Sequence, residues 1–122
     1  MGKVQQGMIG YHAGLSAEAM VASDYARRGF AKVCERWRGE GGEIDLILRD
    51  GSGLVFVEVK KSRSFEAAAA RLGPRQIARL MRSAEAFAGT QPDGSLTEMR
   101  FDVALVDGYG VVRIIENAFA GH

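Results

Sequence analysis

Leu15, Ala19, Ala22 and Ala26 recur at helical spacing, Ser16 stands where a cap is needed, and Arg27, Arg28 and Gly29 suit a helix end. The pattern predicts a first helix over about Ala17 to Arg28. The next stretch, FAKVCERWR, alternates residue by residue and reads as a strand that stops at the loop GEGG. Two clearer strands follow, about Glu43 to Arg49 and Leu54 to Lys60, joined by Asp50-Gly51-Ser52-Gly53, whose glycines allow a tight hairpin. The alanine-rich SRSFEAAAARLG, Ser62 to Gly73, fits a helical turn or a connector, and the pattern decides for neither. Pro74 opens a second helix whose stripe of Ile77, Leu80, Met81, Ala84 and Phe87 ends before Gly89. MRFDVALV, the turn DGYG and VVRIIE complete the order α-β-β-β-α-β-β, an α/β arrangement of a mixed sheet flanked by helices. No repeat or linker divides it, so a single domain over 14–119 is expected after a flexible segment 1–13.

Composition narrows the partners more than the fold. With 122 residues, 47% apolar and 25% charged, the chain suits one globular core. Its 16 basic and 15 acidic residues leave a net charge of +1, so any nucleic-acid surface must come from local clustering. Cys34 is the only cysteine, which excludes an internal disulfide, and His12 and His122 have no neighbours at metal-ligand spacing. The opening MGKVQQGMIGYHAG lacks an apolar leader pattern, Gln6 breaks a myristoylation signal, and no run nears the roughly 18 apolar residues of a span. A cytoplasmic protein is expected.

The candidate chemistry lies in the central hairpin. Pairing Arg49 with Leu54 sets Leu48 opposite Val55, Leu46 opposite Val57 and Ile44 opposite Val59, which makes one face wholly aliphatic. The same register puts Asp45 opposite Glu58 and Glu43 opposite Lys60 on the other face. At an effective dielectric of 20, carboxylates about 5 Å apart repel by roughly 3 kcal/mol. An oxygen-preferring divalent cation offsets that best, and Lys60 on the same face suits a water nucleophile or developing phosphate charge. The plainer alternative is a solvated hairpin face with Glu43 and Lys60 as a cross-strand ion pair. Ile47, Leu54 and Phe56 share that face, which points instead to a partly buried cleft. Glu18 is a further acidic candidate, although an acid in a first helical turn is favourable through the helix dipole alone. Arg75, Arg79 and Arg82 lie mostly on one side of the second helix, preceded by Lys61, Arg63 and Arg71. These six suit either a solvated face or a surface that grips a nucleic-acid backbone without reading bases.

GEIDLI, FVEVK, RFDVALV and IIENAF, with the acidic first helix and the Gly29-Phe30 junction, resemble the small bacterial YraN-type family from about Gly14 to Phe119. That family is similar to archaeal Holliday-junction resolvases within the PD-(D/E)XK nuclease-like superfamily. The resemblance implies a restriction-endonuclease-like αβββαβ core and a divalent-metal-dependent nuclease acting on DNA, branched or structured DNA in particular. It implies Asp45 and Glu58 as ligands of Mg²⁺ or Mn²⁺, the Val59 carbonyl as a further ligand and Glu18 as an outer or second metal contact. Lys60 would position or activate water and Gln76 would help hold the site, at a position where the family pattern more often carries Lys. It also implies a nucleic-acid partner, no membrane, and homodimers as in resolvases. The competing expectation is a non-catalytic nucleic-acid-binding or assembly protein that retains the fold.

Overall fold

Ser16 starts the first helix by accepting the Ala19 amide on its side chain, and the computed structural model, which describes residues 16–119, runs this helix, α1, over Ala17–Arg27. The segment expected to be flexible, 1–13, lies outside the described residues, as do His12 and His122. Three strands follow as an antiparallel meander: β1 (Ala31–Gly39), β2 (Gly42–Asp50) and β3 (Gly53–Lys61). Asp50 pairs with Gly53, which leaves a two-residue turn whose first residue, Gly51, has φ 63°. A side chain is strained in that left-handed conformation and glycine is not.

The undecided stretch contains a short helix, α2 (Phe65–Ala69), because the Ser64 side chain accepts the Ala67 amide and four alanines follow Glu66. With Pro74 in its first turn, α3 (Pro74–Ala88) crosses the sheet, and after a 3₁₀ turn at Gly94–Leu96 the chain enters β4 (Met99–Val106). β4 lies parallel to β3, and β5 (Val112–Ile115) pairs antiparallel with β4. The result is a five-stranded mixed sheet in the order β1-β2-β3-β4-β5. No helix among the described residues is long and apolar enough to cross a membrane.

Both faces of the sheet are covered. On one, Leu46, Leu48, Val55 and Val57 pack with Val21 and Tyr25 of α1. On the other, Ile47, Leu54, Phe56 and Phe101 pack with Leu80, Ala84 and Phe87 of α3 and Ala68 of α2. The mixed face of the hairpin is therefore core beneath α3 for most of its length. Ile44 corrects the expected register: it joins Ile47 beneath α3 instead of sharing a face with Leu46 and Leu48. Side-chain alternation changes at Asp45, which lies across from Arg36 of β1, a residue with φ 53°. Burying Ile44 there gains about 1.5–3 kcal/mol, enough to favour the irregularity.

β1 forms one edge of the sheet and is mostly exposed, with a register shift between Lys32 and Cys34. Its far end is pinned to α3. Trp37 packs edge-on against Phe87 at 5.2 Å, Ser83 Oγ donates to the Gly42 carbonyl at 2.9 Å, and a Cβ on Gly41 would collide with the Arg79 carbonyl. Only glycine allows that approach.

A buried polar network locks the opposite side. Asp102 of β4, fully buried, accepts hydrogen bonds from Tyr25 Oη (2.6 Å), Arg100 Nε (2.8 Å) and Nη2 (2.9 Å), and the Asn117 amide (3.0 Å). These donors tie α1, β4 and the segment after β5 to one carboxylate. Burial and the Asp102 contact push the Tyr25 hydroxyl far above its ordinary range, so it remains a donor.

Candidate active site

The β2–β3 ladder runs from Asp50 and Gly53 to Leu46 and Val57, where backbone pairing stops. The Val59 amide beyond that point takes the Asp45 carboxylate as its acceptor at 2.8 Å. A side chain replaces the missing ladder partner, and the strands part around it. The expected direct opposition of Asp45 to Glu58 and of Glu43 to Lys60 is accordingly not formed as ladder pairs. Glu43 is exposed and pairs with Arg38 at 3.5 Å, so the ion pair with Lys60 that a solvated hairpin would make is absent.

Asp45 and Glu58 nevertheless meet. Glu58 points to the α3 side with only 5% of its surface exposed, and Asp45 is half-buried at the strand opening. Lys60 Nζ lies 3.3 Å from Glu58 Oε1, and Gln76 Nε2 of α3 donates to the same oxygen at 3.4 Å. Burial, then the neighbouring Asp45 charge, pushes the Glu58 carboxyl up to about 8. Asp45 is also raised, first by burial, with the Val59 amide opposing and the Glu18 charge adding to the rise. Each carboxyl thus sits desolvated beside a like charge, which favours a proton on the pair. Burial of Glu58 removes the solvated-face reading for this residue.

Glu18 reaches this end of the sheet from α1, close enough for Asp45 to feel its charge. Among the described residues no three His, Cys, Asp or Glu side chains are gathered as a metal cage, so two carboxylates are the side-chain donors within contact. That donor set fits an oxygen-preferring ion that keeps several waters, and it does not fit a closed zinc site.

The basic residues divide into two groups. Arg75, Arg79 and Arg82 border one shallow groove of about 270 Å³ on the exposed side of α3. Arg79 also borders the adjoining cleft of about 320 Å³, together with Gly41, Gly42 and Gln76. Gln76, which borders that cleft, is also the residue that donates to Glu58. Arg71 is turned to another use, donating to the Lys61 carbonyl at 2.7 Å, while Arg63 is exposed just beyond β3. The Asp102 network is not visible in the sequence pattern. Its one local signal is an acid in the middle of the apolar strand FDVALV, and its partners Tyr25 and Asn117 are too distant in sequence for spacing to reveal them.

Comparison with known proteins agrees on the family. Residues 17–106 match the model of the uncharacterised protein family UPF0102. A UPF0102 protein of Roseobacter denitrificans is 53% identical over 118 residues, covering 97% of this chain and 92% of its own length. Similar proteins of Ruegeria pomeroyi (56% over 117 residues, 96% and 94% covered) and Cereibacter sphaeroides (55% over 114 residues, 93% and 97% covered) carry the same family name. The chain belongs to the UPF0102 family, the YraN-type bacterial proteins that its motifs resemble.

Proposed function

We propose that this protein is a divalent-metal-dependent phosphodiester hydrolase acting on DNA, with Asp45, Glu58 and Lys60 as its central residues. The observation that carries the reading is buried Glu58 beside half-buried Asp45, with Lys60 3.3 Å from Glu58, set where two strands part. Supporting it, the order α1-β1-β2-β3-α3-β4 with β3 and β4 parallel agrees with the αβββαβ core of PD-(D/E)XK nucleases. A bound Mg²⁺ or Mn²⁺ supplies polarisation of the phosphoryl oxygen and a more acidic water.

The chain's own residues do the rest. Glu58 gives up its shared proton to become a ligand beside Asp45, so loading is favoured as pH rises. The Val59 amide fixes the Asp45 carboxylate through one oxygen, and the other oxygen and the Val59 carbonyl would be available to hold the ion. Lys60 orients the attacking water or the phosphate oxygen and stabilises the negative charge that develops there. Gln76 holds Glu58 from the α3 side, and Glu18 provides an outer carboxylate for hydrated metal. Arg75, Arg79 and Arg82 hold the backbone along α3, with Lys61 at the end of β3 and Arg63 just beyond it.

The test is incubation of purified protein with branched and linear DNAs in Mn²⁺ and in chelator, beside Lys60→Ala. Cleavage by wild type in Mn²⁺ that Lys60→Ala loses is expected. No cleavage at high protein concentration, with DNA binding indifferent to chelator, would leave a binding protein on a nuclease-like scaffold and overturn the hydrolase reading.

A further inference from the structure

The β4–β5 turn is built around one side chain. Asp107 Oδ1 accepts the amides of Tyr109 (2.9 Å) and Val111 (3.0 Å), and the Gly110 amide reaches the Asp107 carbonyl at 3.1 Å. Gly110 supplies the left-handed φ of 80° that closes the loop. On this fixed turn the Tyr109 side chain is 84% exposed, so burial in the core does not explain it. Beside it opens a cleft of about 330 Å³, lined by Met20, Ser23 and Arg27 of α1 and by Tyr109, Gly110 and Val112. A stiff aromatic face, a thioether, a hydroxyl and a guanidinium together suit a flat ligand with polar edges. Arg27 Nη1 already donates to Ser23 Oγ at 3.1 Å, which leaves the serine hydrogen available as a donor.

The position of the cleft is as informative as its lining. Lys61 of β3 pairs with Val106 at the end of β4, and the Ser62 amide donates to the Val106 carbonyl at 3.0 Å. A Cβ on Gly108 would lie 3.9 Å from both Cα and O of Arg63, so the turn leans directly on the segment that follows Lys60. On its other side Gly110 abuts Met20, two residues along α1 from Glu18. The cleft therefore opens at the same end of the sheet as Glu58 and Lys60 but on the α1 face, so that the ends of β3 and β4 stand between the two.

Resting on the hydrolase reading above, we propose that this cleft receives one unstacked nucleobase of the strand whose backbone lies at Lys60, with the Tyr109 ring as its stacking face. The substrate class that follows is DNA with unpaired or splayed bases beside the scissile phosphate, because a closed duplex keeps its bases stacked inside. Tyr109 touches the base and not the reacting atoms, so it sets specificity.

Anisotropy of a labelled single strand and of its perfect duplex, measured in chelator and with Mn²⁺, tests this with wild type, Tyr109→Ala and Tyr109→Phe. Loss of one stacking contact should weaken single-strand binding by Tyr109→Ala about tenfold while duplex binding is unchanged. Tyr109→Phe should bind like wild type, and an abasic residue in the strand should shrink the difference between wild type and alanine variant. Equal loss on both DNAs, no loss on either, or a phenylalanine variant as weak as alanine would overturn the inference while leaving the hydrolase reading intact. dAMP binding as tight as the strand would overturn it too, marking a pocket for free nucleotides. If wild type neither binds nor cuts any DNA, the hydrolase reading itself fails and this inference with it.

Discussion

Asp102 and Glu58 are both buried acids on adjacent parallel strands, one step out of register, since Val57 pairs with Asp102 and Glu58 with Val103. They face opposite sides of the sheet and opposite chemistry. Asp102 lies on the α1 side, where Tyr25, Arg100 and Asn117 fill its oxygens at 2.6–3.0 Å. Glu58 lies on the α3 side, where Lys60 and Gln76 stand at 3.3 and 3.4 Å and its remaining neighbour, Asp45, is another acid. A buried carboxylate supplied with donors fastens elements together. One placed against a second carboxylate is held in a state that a cation or a proton must relieve. Burial alone does not tell the two apart; the sign of the neighbours does.

The largest effect should come from breaking the fastener. Asp102→Ala leaves Tyr25 and Arg100 without their buried acceptor and should cost about 3–5 kcal/mol in urea unfolding, against a total stability that is itself small. A loss under about 1 kcal/mol would show that the network is not what holds α1 to the sheet. Glu58→Gln should act the other way round. It keeps the Gln76 contact and removes the like charge, so the fold should melt no lower than wild type at pH 8 while Mn²⁺-dependent cleavage drops about 100- to 1000-fold. Destabilisation with activity retained would make Glu58 a second Asp102.

The pH dependence of stability sharpens the comparison further. The Glu58 carboxyl is raised in the fold from 4.5 to about 8, so the folded chain binds the extra proton between those values. That contribution is complete below the unfolded value and is lost as pH rises through the folded one. Thermal melts in chelator should therefore fall by about 5 °C or more between pH 5 and pH 9, and Glu58→Gln should flatten the slope. An unchanged slope in the variant would assign the effect elsewhere. Tyr25→Phe should cost about 1.5–3 kcal/mol by removing one hydrogen bond to a charged acceptor, with no effect on metal response. Asp45→Asn is expected to be the mildest: its amide oxygen still serves the Val59 amide, so stability in chelator should match or slightly exceed wild type. Millimolar Mn²⁺ should then raise the melting temperature of wild type and leave the Asn variant unmoved. Equal metal responses would make Asp45 an ordinary structural acid.

The sequence disclosed one side of this comparison and hid the other. The helix cap at Ser16, the proline that opens α3 at Pro74, the glycine turn at Gly51 and the alternation of Val55 and Val57 are local signals, and they place α1, α3 and the hairpin. Because Asp45, Glu58 and Lys60 belong to that hairpin, their meeting was legible too. The parting of the strands at Asp45 was not, since a carboxylate that replaces a ladder bond leaves no trace in the spacing, and Ile44 was assigned to the wrong face for that reason. α2 was ambiguous because a five-residue helix draws little on periodicity. The Asp102 network joins residues 77 apart along the chain, and only the tertiary fold brings Tyr25 to it.

The exposed edge strand β1 carries a consequence for the chain in a crowded solution. The outward-facing backbone groups of a nine-residue edge strand would ordinarily be a template on which another chain could add a strand. The register shift at Val33 and the left-handed Arg36 break that edge into pieces too short and too twisted for continuous pairing, and Lys32, Glu35, Arg36 and Arg38 charge what remains. Solubility is thus protected by the shape of the strand itself. Deleting Val33 would remove one of the two breaks and lengthen the run of regular edge that another chain could pair with.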